Sequence, residues 1–541
     1  MTEIETAFDY RILRVPMAIL AVFFCLFAAL RSRDIFAVDG AHRCLQVWHR
    51  QGIFLDGTNH MLYPVNVFVW TRLGYALGFN ASGPLQFFSM VELMNCLAGA
   101  ACLACLCLLM YLTVPSWSNA VSVTVGYGFS KAFIEQATNA NQPLVGALSS
   151  ILGLLFASLA FKSKSNWPIV VSAFLFSLAM ANYESTIFLA PAAIFLIWRS
   201  RDLCMPKLLA IGSFAVSGVI GSALIFGLAF RYSGIANPNA MVRQLRVVEG
   251  ERAYAGQGLM HLLNVPVGMV RNIFPVLRVY TGLRNLAAVP EGILVLTLLL
   301  FAAFYGFSIF CAVQVWKQRS TLSELQRTAF LAGCIGFVST TIPLLLYDPH
   351  YDKLWLQPLG CAAFLLFLAL DVVRKTSRPC SLIVKVSAAL LLVGVLTNSV
   401  WAMRGHSSPT LGMEQAQGIA EKLSPGDYVI GGWDDLAVMY SDLWAPAGQY
   451  MDFFMEAGSY GRAATSHVRE AALRTRKMGG HFYFIGVVDV SKDTWDSYLG
   501  SRCGVPFSDF DSYRAHSRAV ASYRVGSSEV SLFQFDLNYI D

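Results

Sequence analysis

Charged residues are scarce in this chain of 541 residues. Asp, Glu, Lys and Arg together make up 14% of the sequence, whereas hydrophobic residues make up 56%. In a soluble globular protein about a quarter of the residues are charged. A charge in the hydrocarbon of a bilayer costs several kcal/mol unless it is paired or hydrated. The shortage is therefore typical of an integral membrane protein.

Other absences exclude further classes of protein. The net charge is only +6 and no dense Lys/Arg block occurs, which argues against a nucleic-acid-binding protein. Most of the twelve cysteines lie in apolar runs, where Cys behaves as a small hydrophobe. Cys102, Cys105 and Cys107 lack the paired spacing and the histidine of a zinc site. A bridge between Cys44 and Cys503 is the one candidate disulfide, since both fall in segments expected outside the cytoplasm.

Long apolar runs are abundant, and a membrane span needs about 20 largely apolar residues. The first run is followed by Arg31-Ser32-Arg33 in place of a small-residue cleavage site, so it is predicted to be a retained span. We expect about eleven spans. The runs are Ile12–Leu30, Leu85–Val114, Trp117–Phe133, Pro143–Phe161, Trp167–Ala181, Thr186–Trp198, Leu208–Phe230, Gly292–Trp316, Ala329–Leu346, Leu354–Leu370 and Leu382–Met403.

Basic residues indicate the orientation of these spans. With the N-terminus in the cytoplasm, most basic turn residues fall on the cytoplasmic side, as the positive-inside rule requires. An odd number of spans then places the C-terminus outside. We therefore expect a multi-pass protein of the inner (plasma) membrane with a periplasmic or extracellular C-terminal domain. The basic turn residues are Lys162, Lys164, Arg199, Arg201, Lys207, Lys317, Arg319, Arg327, Arg374, Lys375 and Arg378.

The chain is predicted to divide into two domains. Residues 1–404 form a membrane domain with two long outer segments, 31–84 and 231–291. Residues 405–541 are polar and charged, and their predicted elements alternate between strand and helix, which favours a soluble α/β domain. These elements are the strands Asp427–Gly431, His481–Val488 and Val530–Phe535 and the helix Thr465–Met478.

Two segments of the first outer loop have helical patterns of apolar residues, Ala41–Gln51 and Tyr63–Phe79. Trp48, Trp70 and Tyr75 are of the types that anchor helices at a membrane surface. A hidden pair of short spans is the alternative, but it would break the charge pattern that follows. Two interfacial helices are therefore predicted.

Acidic residues and histidines gather on the predicted outer side, at points far apart in the sequence. Threading the spans brings them to one membrane surface, where a helical bundle can form one cleft. Glu92 is expected about 10 Å below the start of its span, where a carboxylate faces either a cavity or a packing partner. The predicted substrate-binding residues are His60, Glu92, Glu135, Glu184, Asp348, His350 and Lys353.

Arginines recur in the second outer segment. A guanidinium group bonds phosphate oxygens in two places, which favours phosphate binding. Contact with anionic lipid headgroups is an equal alternative. The arginines are Arg231, Arg243, Arg246, Arg252, Arg271, Arg278 and Arg284.

Several motifs resemble those of the GT-C superfamily of membrane glycosyltransferases, which includes protein O-mannosyltransferases and the aminoarabinose and arabinofuranosyl transferases. Phe36-Ala37-Val38-Asp39-Gly40 is similar to the acidic motif that begins the family's first outer loop. Ala179-Met180-Ala181-Asn182-Tyr183-Glu184 is similar to a later span start, with Tyr183 where lysine is common. Tyr347–Lys353 resembles the late outer turn. Many members carry two adjacent acidic residues in the first motif, whereas here Gly40 follows Asp39.

The resemblance implies an inverting glycosyltransferase whose donor sugar is carried on a polyprenyl phosphate. The acceptor would be an extracytoplasmic glycan, lipid or protein. Asp39 would be the general base for the acceptor hydroxyl. The single acidic residue before Gly40 argues against a metal-binding or paired acidic role at that point. No metal ligand is assigned, and a divalent metal stays open as a cofactor. The cations that would face the leaving phosphate are Arg243, Arg246, Arg252 and Lys353.

Two other functions are compatible with the sequence. A transporter or flippase for a lipid-linked saccharide usually has repeated halves and charged residues near the bilayer midplane. The sequence has no internal repeat, and its charges lie at one face. A non-catalytic subunit of glycan assembly would use residues 405–541 as a docking module.

Overall fold

The computed structural model describes most of the helical region and most of the C-terminal region. The described residues are 10–31, 44, 47–48, 60–162, 165–200, 205–233, 259–274, 291–346, 352–376, 393–394, 397–398, 419–432, 449–453, 456–457, 461–525 and 528–540.

Up to residue 376, the regular elements of the described residues are helices. Short 3-10 helices precede three of them, at Tyr10–Leu13, Glu184–Leu189 and Asp352–Trp355. The α-helices are α1 (Arg14–Leu30), α2 (Tyr63–Ala76), α3 (Pro84–Thr113), α4 (Trp117–Gly128), α5 (Lys131–Ala137), α6 (Pro143–Lys162), α7 (Trp167–Asn182), α8 (Ala190–Arg199), α9 (Lys207–Ser233), α10 (Leu259–Ile273), α11 (Glu291–Lys317), α12 (Glu324–Leu346) and α13 (Leu356–Thr376).

Among the described residues, seven helices are long and apolar enough to cross a bilayer. The predicted polytopic α-helical membrane fold is therefore confirmed. The seven segments are Tyr10–Leu30, Gln86–Thr113, Pro143–Phe161, Lys207–Leu228, Leu298–Lys317, Glu324–Leu345 and Lys353–Arg374.

Three other expected spans are interrupted or short. The run Trp117–Phe133 is divided into α4 and α5 because Ser130 adopts an extended backbone conformation between them. Helix α7 has only 16 residues. The run Thr186–Trp198 begins in a 3-10 helix before α8. The last expected span, Leu382–Met403, lies almost entirely outside the described residues.

Helix α2 confirms a predicted helix of the first outer loop. It is not one of the seven helices long enough to cross a bilayer. It packs on the start of α3, and the indole N–H of Trp70 donates to the carbonyl of Met90 there at 2.7 Å. We call the end of the bundle at which α1 ends and α3 begins the loop end. Because successive spans reverse direction, α4 and α7 also end there, and α6 and α13 begin there.

Close helix packing depends on small residues, since apolar lipid offers no hydrophobic driving force between helices. Gly153 of α6 lies against the ring of Phe176 on α7, and a Cβ at Gly153 would come within 2.9 Å of that ring. The hydroxyl of Ser172 donates to the Gly153 carbonyl at 2.7 Å. The α6–α7 pair in turn positions the segment 181–184, which reaches the loop end.

The C-terminal region contains one five-stranded sheet, in agreement with the predicted α/β pattern. The strand order is β2-β1-β3-β5-β4. The first three strands are parallel, and β5 and β4 are antiparallel to their neighbours. Neither Cys44 nor Cys503 forms a disulfide within the described part of the chain, so the candidate bridge between them is not formed. The strands are β1 (Tyr428–Gly431), β2 (Gln449–Asp452), β3 (Phe482–Ile485), β4 (Ser517–Val525) and β5 (Ser528–Phe535), and α14 (Ala464–Met478) joins β2 to β3.

The contact between α6 and α7 predicts opposite effects of one substitution at two glycines. Gly153→Ala should destabilise the protein by about 1–3 kcal/mol, because the added methyl group overlaps the ring of Phe176. Gly212→Ala is the matched control, since no atom lies within 4 Å of a Cβ there. The free energy of unfolding of that variant should rise by up to about 1 kcal/mol, because Ala has a higher helix propensity than Gly. Thermal unfolding in detergent measures both, and equal stability of the two variants would contradict the packing described.

Candidate functional site

Polar side chains are concentrated at the loop end of the bundle. They come from α3, α5, the turn between α5 and α6, α10 and the chain near residue 398, and each of them is at least nine-tenths buried. Buried polar groups need partners or a ligand, because their desolvation is costly. These residues are Glu92, Asn95, Lys131, Gln136, Asn139, Asn141, Gln142, Asn264, Asn272 and Asn398.

His60 and Glu184, two predicted site residues, are in direct contact. The backbone N–H of His60 donates to one carboxylate oxygen of Glu184 at 2.8 Å, and its ring Nδ1 lies 3.1 Å from the other oxygen. The His60 ring also stacks on Tyr183 with 5.1 Å between ring centroids. His60 has a φ of 57°, a left-handed conformation that is unfavourable for a residue with a side chain. The contacts with Glu184 hold this conformation.

The neighbouring backbone extends the connection. The N–H of Leu62 donates to the carbonyl of Ala181 at 3.0 Å. The side-chain amide of Asn66 donates to that of Asn182 at 2.5 Å. The end of the first outer loop is therefore fixed to the turn that follows α7, and we call this set of contacts the loop clasp.

The loop clasp shifts the ionisation of its carboxyl group. Burial alone would raise the pKa of Glu184, but the charge of His60 and the hydrogen bonds from His60 outweigh it and lower the pKa below the ordinary 4.5. The carboxylate keeps contact with water, since 48% of its side chain is exposed. Glu184 is therefore ionised at neutral pH.

Lys131 and Glu135 form an ion pair on α5, with Nζ 3.4 Å from Oε2. The Lys131 side chain is fully buried and that of Glu135 is 20% exposed. A buried charge of this kind is retained only where its partners compensate for desolvation. Because α5 contacts both α10 and the 352–355 turn, the pair lies where three elements meet.

Asn95 fixes the turn between α5 and α6. Its side-chain amide donates to the carbonyls of Asn139 at 2.5 Å and Asn141 at 2.6 Å. The Asn141 amide donates to Gln136 at 2.6 Å. The side-chain oxygen of Asn95 and both polar atoms of the Gln142 side chain are buried without a hydrogen-bond partner in the described part of the chain. The turn therefore presents amide groups that are able to bind a polar ligand.

Asn398 connects α10 to the break between α4 and α5. Its side-chain amide donates to the carbonyl of Phe129 at 2.5 Å and to that of Ile273 at 2.7 Å. The two carbonyls share one donor, so they lie close together. Lys131 and Arg271 are each two residues away from one of these carbonyls, which places both cations in the same part of the loop end.

Arg271 has unused hydrogen-bonding capacity. Its Nε and Nη1 atoms are buried and have no hydrogen-bond partner within the described residues. The side-chain oxygens of Asn264 and Asn272, on the same helix, are also buried without one. A guanidinium group in this state is suited to an anion with several oxygens, such as phosphate.

Glu92 lies beneath the first outer loop. Burial and the nearby charge of Glu92 together raise the pKa of the Cys44 thiol, so residue 44 of the loop lies close to this carboxylate. Cys44 is fully buried and packs with Tyr63 and Phe87. The structure therefore places Glu92 beneath the first outer loop.

The remaining predicted site residues are placed only in part. Lys353 lies in the 3-10 helix Asp352–Trp355, which contacts α5 and α10. Thus Glu135 and Lys353 come from neighbouring elements, and His60 and Glu184 touch. The other predicted residues lie outside the described part of the chain, namely Asp39, Arg243, Arg246, Arg252, Asp348 and His350.

No group of three or more His, Cys, Asp and Glu side chains able to hold a metal ion is found among the described residues. The polar groups that the structure brings together at the loop end are mostly amides, with the cations Lys131 and Arg271 and the carboxylates Glu92, Glu135 and Glu184. The amides and cations suit an anionic or hydroxylated ligand.

Sequence reasoning missed Asn95 and Asn398 and did not single out Arg271. Asn95 and Asn398 each stand in a predicted apolar span, and a lone amide in such a run is a usable signal because a polar group there needs a partner. Arg271 was one of seven similar arginines, and only the contact of α10 with α5 distinguishes it.

Comparisons with known proteins identify the fold. No protein-family model matches the sequence, and no curated protein matches it. The chain is similar to the crystal structure of ArnT from Cupriavidus metallidurans bound to undecaprenyl phosphate, with a TM-score of 0.51, 12% identity, and coverage of 97% of this chain and 98% of that one.

Two further structures give lower scores. The apo state of the same ArnT has a TM-score of 0.45 at 14% identity, with 97% of this chain and 98% of that chain covered. The oligosaccharyltransferase of Archaeoglobus fulgidus, tethered to an acceptor peptide, has a TM-score of 0.49 at 10% identity, with 95% and 74% covered. The likeness to undecaprenyl-phosphate-bound ArnT shows that the two chains share a fold, as the resemblance of the sequence predicts.

The loop clasp predicts a pH-dependent local stability. Because the pKa of Glu184 is lowered, the clasp stabilises the folded protein above the ordinary value of 4.5 and loses this contribution as the pH falls through the lowered pKa. Glu184→Gln should lower the free energy of unfolding by about 0.5–1 kcal/mol at neutral pH. It should also make amide hydrogen exchange faster over residues 60–66.

The control for this variant is Glu324→Gln, which removes the charge opposite Arg199 at the other end of the bundle. Exchange over residues 60–66 should not change in that protein. If Glu184→Gln exchanges as the wild type does at pH 7, the clasp does not hold the loop.

Proposed function

We propose that this protein is an integral membrane glycosyltransferase that moves a sugar from a polyprenyl-phosphate donor to an extracytoplasmic glycan, lipid or protein acceptor. The observation that carries the proposal is the convergence of Lys131, Arg271 and Lys353 on one end of a bundle with the GT-C fold. Fold alone does not define function, so the proposal depends on this site.

A donor of this kind needs a polar end for its phosphate and an apolar interior. The loop end supplies the first, and we place it on the extracytoplasmic side with the domain of residues 405–541. The N-terminus then lies in the cytoplasm of a cell with this protein in its inner (plasma) membrane. The distribution of basic turn residues supports this orientation.

The proposed reaction is a displacement at the anomeric carbon. The acceptor oxygen attacks that carbon, its proton passes to the Asp39 carboxylate, and the bond from carbon to the phosphate oxygen breaks. The polyprenyl phosphate leaves with the bonding electron pair, and attack from the opposite face inverts the anomeric centre. Proton transfer to a positioned base contributes about 10²–10⁴ in rate.

The leaving phosphate gains negative charge as the bond breaks, and preorganised cations stabilise it. Arg271 is the best placed of the described cations because its buried guanidinium nitrogens are not engaged by other described residues. Lys353 and the loop arginines Arg243, Arg246 and Arg252 are proposed to complete the anion site.

The other predicted residues have supporting roles in this proposal. Glu184 and His60 hold the end of the first outer loop and so contribute to the position of Asp39, which lies 21 residues before His60. Glu135 keeps the Lys131 charge paired on α5.

The base assignment is tested by transfer of labelled sugar from polyprenyl-phosphate donors to membrane acceptors. Asp39→Asn should lower the rate about 10²–10⁴-fold without a loss of thermal stability. Asp56→Asn, in the same loop, is the matched control and should retain wild-type activity. Full activity of Asp39→Asn would refute the base assignment. Transport of the donor across proteoliposomes without transferred product would instead support a flippase.

The anion assignment is tested at Arg271. Arg271→Ala should reduce the transfer rate by about 10²–10³, because a charge-stabilising donor is lost, and Arg271→Lys should recover part of it. Arg327→Ala is the control, since Arg327 bonds turn carbonyls at the opposite end of the bundle. An Arg271→Ala protein with the wild-type rate and affinity for the donor would exclude Arg271 from the phosphate site.

A further inference from the structure

The turn between α5 and α6, residues 138–142, consists of Thr, Asn, Ala, Asn and Gln. Each of its four polar side chains is at least nine-tenths buried. Burial of so many polar groups is costly unless each finds a hydrogen-bond partner. The bonds that these side chains form therefore show which of them is left to bind a ligand.

Three of the four side chains are engaged within the protein. Thr138 and Asn139 donate to backbone carbonyls of α5, at 2.8 Å and 2.6 Å. The Asn141 side chain donates to Gln136 at 2.6 Å and accepts from the backbone N–H of Gln142 at 3.0 Å. These bonds determine the shape of the turn.

The side chain of Gln142 is different. It is fully buried, yet neither its oxygen nor its nitrogen has a hydrogen-bond partner among the described residues. Its carboxamide thus forms no bond that the described fold depends on, and a bound ligand would compensate for its burial. One acceptor and one donor side by side match two adjacent hydroxyl groups of a sugar, because each hydroxyl can donate or accept.

The turn lies between two parts of the proposed site. It directly follows α5, which carries Lys131. Ala140 of the turn belongs to the same apolar cluster as Cys44 and Tyr63 of the first outer loop. Asp39 is five residues before Cys44 in the sequence. A sugar between its phosphate and its acceptor belongs in this position, between the proposed cation site and the loop that carries the proposed base.

The charges beside the turn favour a neutral sugar. Glu135 faces Lys131 with 3.4 Å between Oε2 and Nζ, and Glu184 faces His60 at 3.1 Å. An ammonium group on the sugar would compete with Lys131 for Glu135. It would also add a positive charge close to a buried one, which is unfavourable at low dielectric constant. A hydroxyl group has neither disadvantage.

We propose that Gln142 binds hydroxyl groups of the donor sugar and that this sugar is neutral, without an ammonium group. The inference rests on the proposed function and adds to it a specificity residue and a class of sugar. Because Gln142 is fully buried, the sugar displaces side chains that cover it in this structure. Asn95 and Asn141 hold the turn and are positioning residues.

The test compares donors that differ only in the sugar. Two-unit prenyl phosphates carry mannose, glucose, galactose or arabinose, the monodeoxy analogues of each, or its amino analogue. The kcat/KM for the preferred neutral sugar should exceed that for at least one of its monodeoxy analogues by about 10–100-fold. In Gln142→Leu, which has a similar volume and no polar atoms in its side chain, this ratio should fall to about 1.

Two further variants separate a sugar contact from a structural role. Gln142→Leu should unfold at or above the wild-type temperature, because no described hydrogen bond is lost. Gln314→Leu, near the end of α11 that is farthest from the loop end, is the matched control and should keep the wild-type stability and preference. Asn141→Ala loses bonds of the turn, so it should unfold at a lower temperature and lower kcat/KM for all donors by the same factor.

Binding measurements separate this inference from the proposed function. The preferred neutral donor should bind about tenfold more tightly than the methyl ester of the same prenyl phosphate, which has the same charge and no sugar. Gln142→Leu should remove that difference. This binding pattern without sugar transfer would support the sugar site and count against the glycosyltransferase.

Two results would overturn the inference even if the protein transfers sugar. One is a wild-type preference between the neutral donor and its monodeoxy analogues in Gln142→Leu, which would exclude Gln142 from the sugar site. The other is a wild-type protein that prefers the amino analogue to the neutral donor, which would show that the sugar carries an ammonium group.

Discussion

Backbone groups that leave a helix within a membrane protein must find partners inside the protein, because lipid offers none. At the loop end the helices break at Phe129–Ser130 and end at Ile273, and the freed carbonyls are bonded by the side-chain amide of Asn398. Asn95 does the same for the turn before α6. The amide nitrogens hold the broken ends together while amide oxygens stay available, so the interruption of the helices and the polar site arise from one constraint.

The loop end and the interior of the bundle have contrasting chemistry within a few helical turns. Lys131 and Arg271 lie among amides, whereas Tyr127, only four residues before Lys131, lines an apolar cavity. The GT-C fold is shared with ArnT at only 12% identity, which indicates that helix packing can be kept by many sequences.

Much of the architecture is predictable from the sequence because it follows from length and pattern. The apolar runs predicted the long spans. The residue patterns of the C-terminal segments predicted β1, α14, β3 and β5, with bounds that differ from the observed ones by a few residues. The division between α4 and α5 was not predicted, since Ser130 in an apolar run does not reveal an extended backbone. In the site, His60 and Glu184 were selected separately, but their contact spans 124 residues and has no local signal. Arg271 could be distinguished from the other arginines of the second outer segment only once the packing of α10 was known.

The bonds that complete the loop end join early and late parts of the chain. The Phe129 carbonyl is paired with an amide 269 residues later, and the Tyr127 hydroxyl with a carbonyl 229 residues later. At a synthesis rate of about 5–20 residues per second, the first of these waits roughly 15–50 seconds for its partner. During that interval α4 and α5 carry an unpaired break and the Lys131 charge at the membrane. Insertion of this protein therefore leaves a half-built polar site at the membrane until its last helices arrive.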